Sequence, residues 1–384
     1  MRILHLIKTT VGATWALREI QVLIRLGCEV HVVLPNEEGL CQRYREAGAT
    51  VHIATVDIAA FIASPFGFIK AASQFRKLVA EVKPDIIHSH FVGTTYFMRL
   101  ALIGIPVKRI FQVPGPLHLE KTLTRKIDVG LSNKYDYWIP TCYLSKKYYL
   151  QEGIAESRLT VAFYGSDVSV FNANQPKGNL RKELSISDSI KIIGMVAFVY
   201  PPKKWIGQTR GLKGHEDLID AMEIVLQHRN DVACIIIGGA WGNSEDYYNE
   251  VVSYGKEKLG DNIYFLGTRI DVPSLYPDFN IAVHPSLSEN LGGAAESLLM
   301  GIPTIATNIG GFPDIVKENE TGWLVPASDP KSLAQKILSV LGDADNANKV
   351  ANFGKQEMLR ELDINRTATQ VFDFYKYVMS VENA

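Results

Sequence analysis

The sequence predicts two doubly wound α/β domains, each a parallel sheet covered by helices. Three observations carry that expectation. Short β-rich runs alternate with helical stretches along the 384 residues, the pattern of βαβ units. A polar stretch over 172–188 breaks the alternation, and a second series begins at Ile190. The length also suits two domains of ordinary size better than one. The boundaries expected are 1–170 for a first Rossmann-like domain, 171–189 for a linker, 190–364 for a second Rossmann-like domain and 365–384 for a C-terminal helix.

In the first series the apolar, β-branched runs place strands at 3–7, 30–34, 51–56, 86–88, 109–113 and 138–141, with a last one near 160–163. Helices are read over 13–25, 39–47, 66–82 and 94–103. In the second series strands are read at 192–199, 235–237, 263–266, 281–283, 302–307 and 322–325. A helix spans 291–300, a short one begins at Gly310-Gly311-Phe312-Pro313, and the pattern is helical from Pro330 onward. The terminal helix, 365–378, carries Val371, Phe374, Tyr375 and Val378 on one face.

With 47% hydrophobic residues the chain can bury large cores, and a net charge of −1 argues against a nucleic-acid binder, which carries a basic excess. The halves differ: residues 1–170 hold 20 Lys and Arg against 14 Asp and Glu, and the remainder 20 against 27. A basic first half suits an anionic partner such as a membrane surface or a phospholipid-linked acceptor. Cys28, Cys41, Cys142 and Cys234 show no paired spacing, so neither a zinc site nor a disulfide framework is expected, and a reducing cytoplasm fits. The first residues are read as a strand and not as a signal peptide. The most apolar window, 58–69, is broken by Pro65 and Gly67 and is too short to cross a bilayer. The expected place is the cytoplasm, with a peripheral contact to the membrane face through the basic first domain.

The stretch 280–307, NIAVHPSLSENLGGAAESLLMGIPTIAT, carries the chemistry. Its order is strand, tight loop, helix, strand. Pro285 ends the first strand, Ser288, Glu289 and Asn290 are N-cap types, and Gly301 with Pro303 stops the helix. Gly292 and Gly293 at the mouth of that helix leave backbone N–H groups open to a phosphate or a sugar hydroxyl. Glu289 before the helix and Glu296 inside it are costly beside a phosphate unless they grip hydroxyls. Donors for a diphosphate beside carboxylates for vicinal diols describe a nucleotide sugar.

This stretch resembles the sugar-nucleotide signature of retaining glycosyltransferases of the GT-B fold, family 4, in which Glu-x7-Glu precedes a small-residue helix and Gly-x-Pro. Glu296, Gly301 and Pro303 match its second half. Six residues separate Glu289 from Glu296, so either the loop is one residue shorter here or Ser288 stands at the usual glutamate position; the shorter loop is the reading adopted. The resemblance implies two Rossmann-like domains facing a cleft, with the C-terminal helix crossing back to the first. It assigns transfer to His90, Arg210, Lys213 and Glu289, and the donor to Gly12, Thr268, Arg269, Asn290, Leu291, Gly292, Gly293 and Glu296. Thr14 and His118 fall on the acceptor side. Lys213-Gly214 at a helix start matches the family's phosphate lysine. Val199 stands where the family has an arginine, so Arg210 or Lys204 supplies the second cation. His88 and His90 are read as facing opposite sides of their strand, with His90 reaching the cleft, and Pro114-Gly115-Pro116 fixes the loop that bears His118.

The implied reaction moves a hexose, with retention and without a metal, from a UDP- or GDP-linked donor to a hydroxyl of a saccharide, lipid-linked or small-molecule acceptor. Cell-surface glycan or glycoconjugate synthesis is the expected setting. Glycosylation of a small-molecule natural product and a nucleotide-sugar epimerase of the same fold are the alternatives. No metal or other cofactor is expected, and Asp343-Ala344-Asp345 is read as a surface turn.

Overall fold

The computed structural model describes residues 1–62, 64–166, 168–171, 178–203 and 207–381. They form two compact units, Met1–Ser166 with Leu362–Ala384, and Asp167–Glu361. Each is built on a six-stranded parallel sheet. In the first unit β1 (Arg2–Leu6), β2 (Glu29–Leu34), β3 (Thr50–Ile53), β4 (Ile86–Ser89), β5 (Lys108–Val113) and β6 (Asp136–Pro140) lie in the order β3-β2-β1-β4-β5-β6. In the second, β7 (Lys191–Val196), β8 (Val232–Ile237), β9 (Ile263–Phe265), β10 (Ile281–His284), β11 (Thr304–Thr307) and β12 (Trp323–Val325) lie in the order β12-β11-β10-β7-β8-β9. The winding reverses between β1 and β4 and between β7 and β10, where doubly wound sheets collect ligands at the carboxyl ends of their strands. Every residue of β8 and of β10 is buried, as helices on both faces of a parallel sheet require.

The helix Pro65–Val82 starts on Ser64, whose hydroxyl accepts the Gly67 N–H at 3.2 Å, and ends at Lys83 in the left-handed region. It buries Ala72, Phe75, Val79 and Val82. The helix Ile364–Ser380 starts on Asp363, whose carboxylate accepts the N–H of Asn365 at 2.8 Å and of Arg366 at 3.1 Å. It packs on the helix Thr14–Arg25 of the same unit, and Val371, Phe374, Tyr375 and Val378 join Leu17 and Ile20 in one core. Within 171–189, the short helix Leu180–Glu183 buries Leu180 against Ile192 and Leu275.

The strand expected at 160–163 is absent. Leu159 makes an isolated bridge to Trp138, and the N–H groups of Thr160 and Ala162 donate to the carbonyls of Trp138 and Pro140. Pro140 has no N–H to return, so the ladder cannot continue.

Glu19, on the helix Thr14–Arg25, is 1% exposed, and one of its oxygens accepts from Gln112 Nε2 at 2.8 Å. Burial pushes its carboxyl up to about 8 from an ordinary 4.5. The folded value lies above the unfolded one, so the group's contribution is fully present below about pH 4.5 and is lost as pH rises through about 8. Glu19→Gln keeps the shape and removes the charge. The variant is expected to unfold several degrees higher than the parent near pH 8, with a small difference near pH 5. Equal shifts at both pH values would refute titration as the cause.

Candidate active site

The chain closes tightly around the helix Gly292–Leu299. A Cβ on Gly292, which has φ 45°, would lie 2.8 Å from the Glu289 carboxyl carbon, and one on Gly310, with φ 58°, would lie 1.9 Å from the Glu289 carbonyl oxygen. Glycine is required at both. Leu291 caps the helix with no side-chain hydrogen bond, so the capping role expected of Ser288, Glu289 and Asn290 is not taken up. Glu289 is engaged elsewhere: Lys213 Nζ holds one carboxylate oxygen, and the Asn290 N–H donates to the other at 3.1 Å. Gly214 makes that pairing possible. With φ 72° it presses the Lys213 loop onto the loop after β10, where a Cβ would meet the Pro285 carbonyl oxygen at 2.1 Å.

Glu296, in the second turn of the helix, accepts from the hydroxyl of Tyr276 at 3.2 Å. Tyr276 is fully buried, and burial first, then Glu296, raises its phenol well above the ordinary range, so it stays a donor. Lys213, Glu289, Glu296, Gly293, Thr268 and Arg269 line one cavity of about 240 Å³ in the second unit. Asn290, Leu291 and Gly292 flank it in the chain. The Arg269 guanidinium is held by Asp271 in two contacts of 2.8 Å and by Glu183 at 2.7 Å, which leaves its backbone for a ligand.

His284, Ser286, Phe198, Tyr200 and Phe312 line the same cavity, and none was singled out from the sequence. His284 is the last residue of β10, directly before Pro285. A polar residue closing a buried run was the available signal. Burial, and secondarily Lys213, pushes its imidazole down to about 3, so it is neutral, with Nε2 3.0 Å from Ser297 Oγ.

Arg210 is not among the residues lining this cavity. Its guanidinium is clamped by Asp217 at 2.6 Å and Asp220 at 2.7 Å, both on the helix His215–Leu226, and two charge-assisted contacts at that range hold the cation on that helix. Lys204 lies outside the described residues. Asp343 caps a helix instead of pairing with Asp345: its carboxylate accepts the Asn346 N–H at 3.1 Å.

In the first unit Gly12, with φ 78°, and Thr14 form the turn from β1 into the helix Thr14–Arg25. His88 and His90 share a side of the sheet: their rings stack at 4.2 Å, because residues two apart on a strand point the same way, contrary to the expectation of opposite faces. His5, the register partner of His88 on β1, places Nδ1 2.9 Å from His90 Nε2. Tyr375, from the helix Ile364–Ser380, bonds His88 Nδ1. All three histidines are fully buried, and among the described residues theirs is the cluster whose ring nitrogens converge closely enough to hold a metal ion. His118 Nε2 lies 3.6 Å from the buried carboxylate of Asp128, which also takes Arg99 at 2.6 Å.

Residues 205–357 match the family of glycosyl transferases group 1, and residues 12–170 match glycosyltransferase family 4. The chain belongs to this family of glycosyltransferases. It is 25% identical over 57% of its length to the lipopolysaccharide core biosynthesis mannosyltransferase LpsB of Rhizobium meliloti, a match covering 61% of that protein. It is 23% identical to the capsular polysaccharide biosynthesis glycosyltransferase CapM of Staphylococcus aureus, over 93% of this chain and 92% of that one. The chain spans 51–61% of the length of the curated relatives it matches first. Among solved structures, Anabaena HepE in complex with UDP-glucose superposes with a TM-score of 0.80 at 20% identity, covering 97% of this chain and 98% of that one. That likeness is one of fold, and the two six-stranded sheets with their helices are those of GT-B.

Proposed function

We propose that the protein transfers a sugar from a nucleoside diphosphate sugar to an acceptor hydroxyl, with retention of anomeric configuration and without a metal ion. The observation that carries this reading is the Lys213–Glu289 pair set beside Glu296 in one cavity at an open helix mouth. A departing diphosphate needs a cation, and Lys213 supplies it. The two glutamates serve hydroxyls, Glu296 those of the donor and Glu289 those of the sugar in transit. The backbone of Thr268 and Arg269 frames the base, and the N–H groups after Leu291 receive phosphate oxygens. Arg210 joins Lys213 only on leaving its two aspartates. A UDP-linked donor is favoured by the Anabaena protein, whose structure holds UDP-glucose; a GDP-linked one is the other expectation.

Burial pushes the His90 imidazole well below its ordinary range, and a ring so reluctant to take a proton is a poor general base. His90 is therefore assigned to positioning, and the leaving phosphate to accepting the acceptor's proton. Proton NMR of the product is expected to show an α-linked donor giving an α-linked product. A β-linked product would overturn retention. Glu296→Ala is expected to weaken donor binding about tenfold or more, since the sugar-nucleotide hydroxyls lose their carboxylate, and to lower the unfolding temperature by a few degrees without unfolding the chain, since the buried Tyr276 phenol loses its acceptor. Full activity of that variant would remove Glu296 from the site.

The relatives named for lipopolysaccharide core and capsular polysaccharide biosynthesis favour a cell-surface saccharide as acceptor, with Thr14 and His118 on its side. No helix among the described residues is long and apolar enough to cross a membrane. We assign a peripheral contact, at the cytoplasmic membrane face, to the start of the helix Pro65–Val82. There Ile62, Phe66 and Ile69 are 82%, 87% and 63% exposed, and Lys70 and Lys77 follow on the exposed side. Sedimentation with anionic vesicles is expected to carry the parent down and to lose most of the Phe66→Ser variant. Equal recovery of the two would refute the assignment.

A further inference from the structure

The second unit carries a shelf of aromatic rings whose exposure its core does not require. After β7 the chain stays extended: Val199 N–H donates to the Gly239 carbonyl at 2.9 Å, and Trp241 N–H donates to the Val199 carbonyl at 3.1 Å. With Val199 wholly buried, the alternation of an extended chain turns Phe198 and Tyr200 outward. Trp241 meets both of them, Phe198 edge-on at 5.3 Å and Tyr200 stacked at 5.1 Å. Phe198 is 38% and Trp241 45% exposed. Singly exposed aromatics need no explanation; three joined through Trp241 at the carboxyl ends of β7 and β8 lie where a doubly wound sheet binds ligands.

Local contacts hold the shelf in place. Ser244 Oγ donates to the Trp241 carbonyl at 2.7 Å, locking the loop after β8. Gly238, with φ 137°, brings that loop so close to β7 that a Cβ would sit 2.0 Å from the Ala197 carbonyl oxygen. Phe198 and Tyr200 line the cavity that holds Lys213 and Glu289, and Lys213 Nζ lies 5.5 Å from the centre of the Tyr200 ring.

We propose that Phe198, Tyr200 and Trp241 form the platform for the pyranose ring of the donor. The inference rests on the donor reading above and adds the residues that recognise the sugar itself. A pyranose presents a face of C–H bonds and a rim of hydroxyls. The C–H face, weakly positive, suits the negative face of an aromatic ring, while the rim requires acceptors such as the Glu289 and Glu296 carboxylates. A nucleobase would also stack on aromatic rings but offers no vicinal hydroxyls to a neighbouring carboxylate. The adjacent Lys213–Glu289 pair therefore favours a sugar over a base on this shelf.

The test compares binding of a nucleoside diphosphate with and without its sugar, by calorimetry, using UDP against UDP-glucose and GDP against GDP-mannose. Trp241→Ala and Phe198→Ala are expected to lose about tenfold in affinity for the sugar nucleotide that the parent binds, and nothing for its sugar-free nucleotide. Trp241→Phe, which keeps a ring, is expected to recover most of the loss. Circular dichroism of each variant confirms the fold. Equal losses with and without the sugar would make the shelf a base platform and overturn the proposal. Unchanged affinities for both ligands would overturn it as well, while leaving the donor reading intact. Absence of binding by the parent to all four ligands would instead sink the donor reading, and the platform with it.

Discussion

Lys213→Ala is expected to lower turnover by roughly two to three orders of magnitude, the usual cost of removing one preorganised electrostatic group from a transfer site. Two effects combine. The leaving diphosphate loses its cation, and Glu289 loses the partner that Gly214 had pressed against it. A half-buried carboxylate without its cation repels the same diphosphate, so donor binding weakens too. The double variant Lys213→Ala with Glu289→Gln separates the contributions: donor binding recovers in part, whereas turnover stays low. Arginine at position 213 keeps the charge but not the compact ammonium geometry, and is expected to restore less than the parent rate. Turnover within a few-fold of the parent in Lys213→Ala would sink the assignment. In the same assay the parent is expected to work equally well in chelator and in Mg²⁺; a strict metal requirement would bring Asp343, Asp345 and the three-histidine cluster back into consideration.

The second large effect is on acid stability. His5 and His284 are pushed down to about 3 and His215 to about 4, in each case chiefly by burial, and His88 and His90 lie well below their ordinary range for the same reason. Their folded values lie below the unfolded value of about 6.5, so between the two the unfolded chain binds protons that the folded one refuses. The stability is whole above about pH 6.5 and drains as pH falls toward about 3. By about pH 5 each such histidine removes on the order of 2 kcal/mol, and several together approach the 5–15 kcal/mol by which a domain is held folded. Circular dichroism melts are expected to show a steep fall in unfolding temperature between about pH 6.5 and pH 5. A flat profile across that interval would mean that these rings are not buried in solution. His5→Asn is expected to blunt the fall for the first unit alone.

Much of the fold was legible because doubly wound sheets bury their strands on both faces, which writes them as unbroken apolar runs such as 235–237 and 281–283. The helices Thr122–Gly130 and Tyr143–Gln151 escaped notice for the opposite reason. The first buries only Asp128, leaving Leu123 and Ile127, four apart, exposed, and the second buries only Ser145 and Tyr149, so neither sets an apolar stripe into a core. At the site, the residues bound to local backbone geometry were readable: Gly292 and Gly214, both at positive φ, mark close approaches that only glycine tolerates, and Gly293 packs tightly against His284. Pairings across the chain were not. Nothing in the spacing shows that Lys213 would meet Glu289, seventy-six residues on, or that Asp217 and Asp220 would claim Arg210. The misjudged facing of His88 and His90 hid a cluster that includes His5 and the Tyr375 hydroxyl, both supplied by distant segments.

The helix Ile364–Ser380 belongs to the unit whose other residues end at Ser166, so about 200 residues are synthesised between them. At roughly 5–20 residues per second, that interval lasts on the order of ten to forty seconds. Throughout it, the emerging first sheet waits with the seat for Val371, Phe374 and Tyr375 open, while the second sheet receives all its strands in one uninterrupted passage. The order of completion is thus inverted relative to the order of synthesis. The half made first is finished last, because its core takes its closing helix only after Glu361, the last residue of the second unit, has been made.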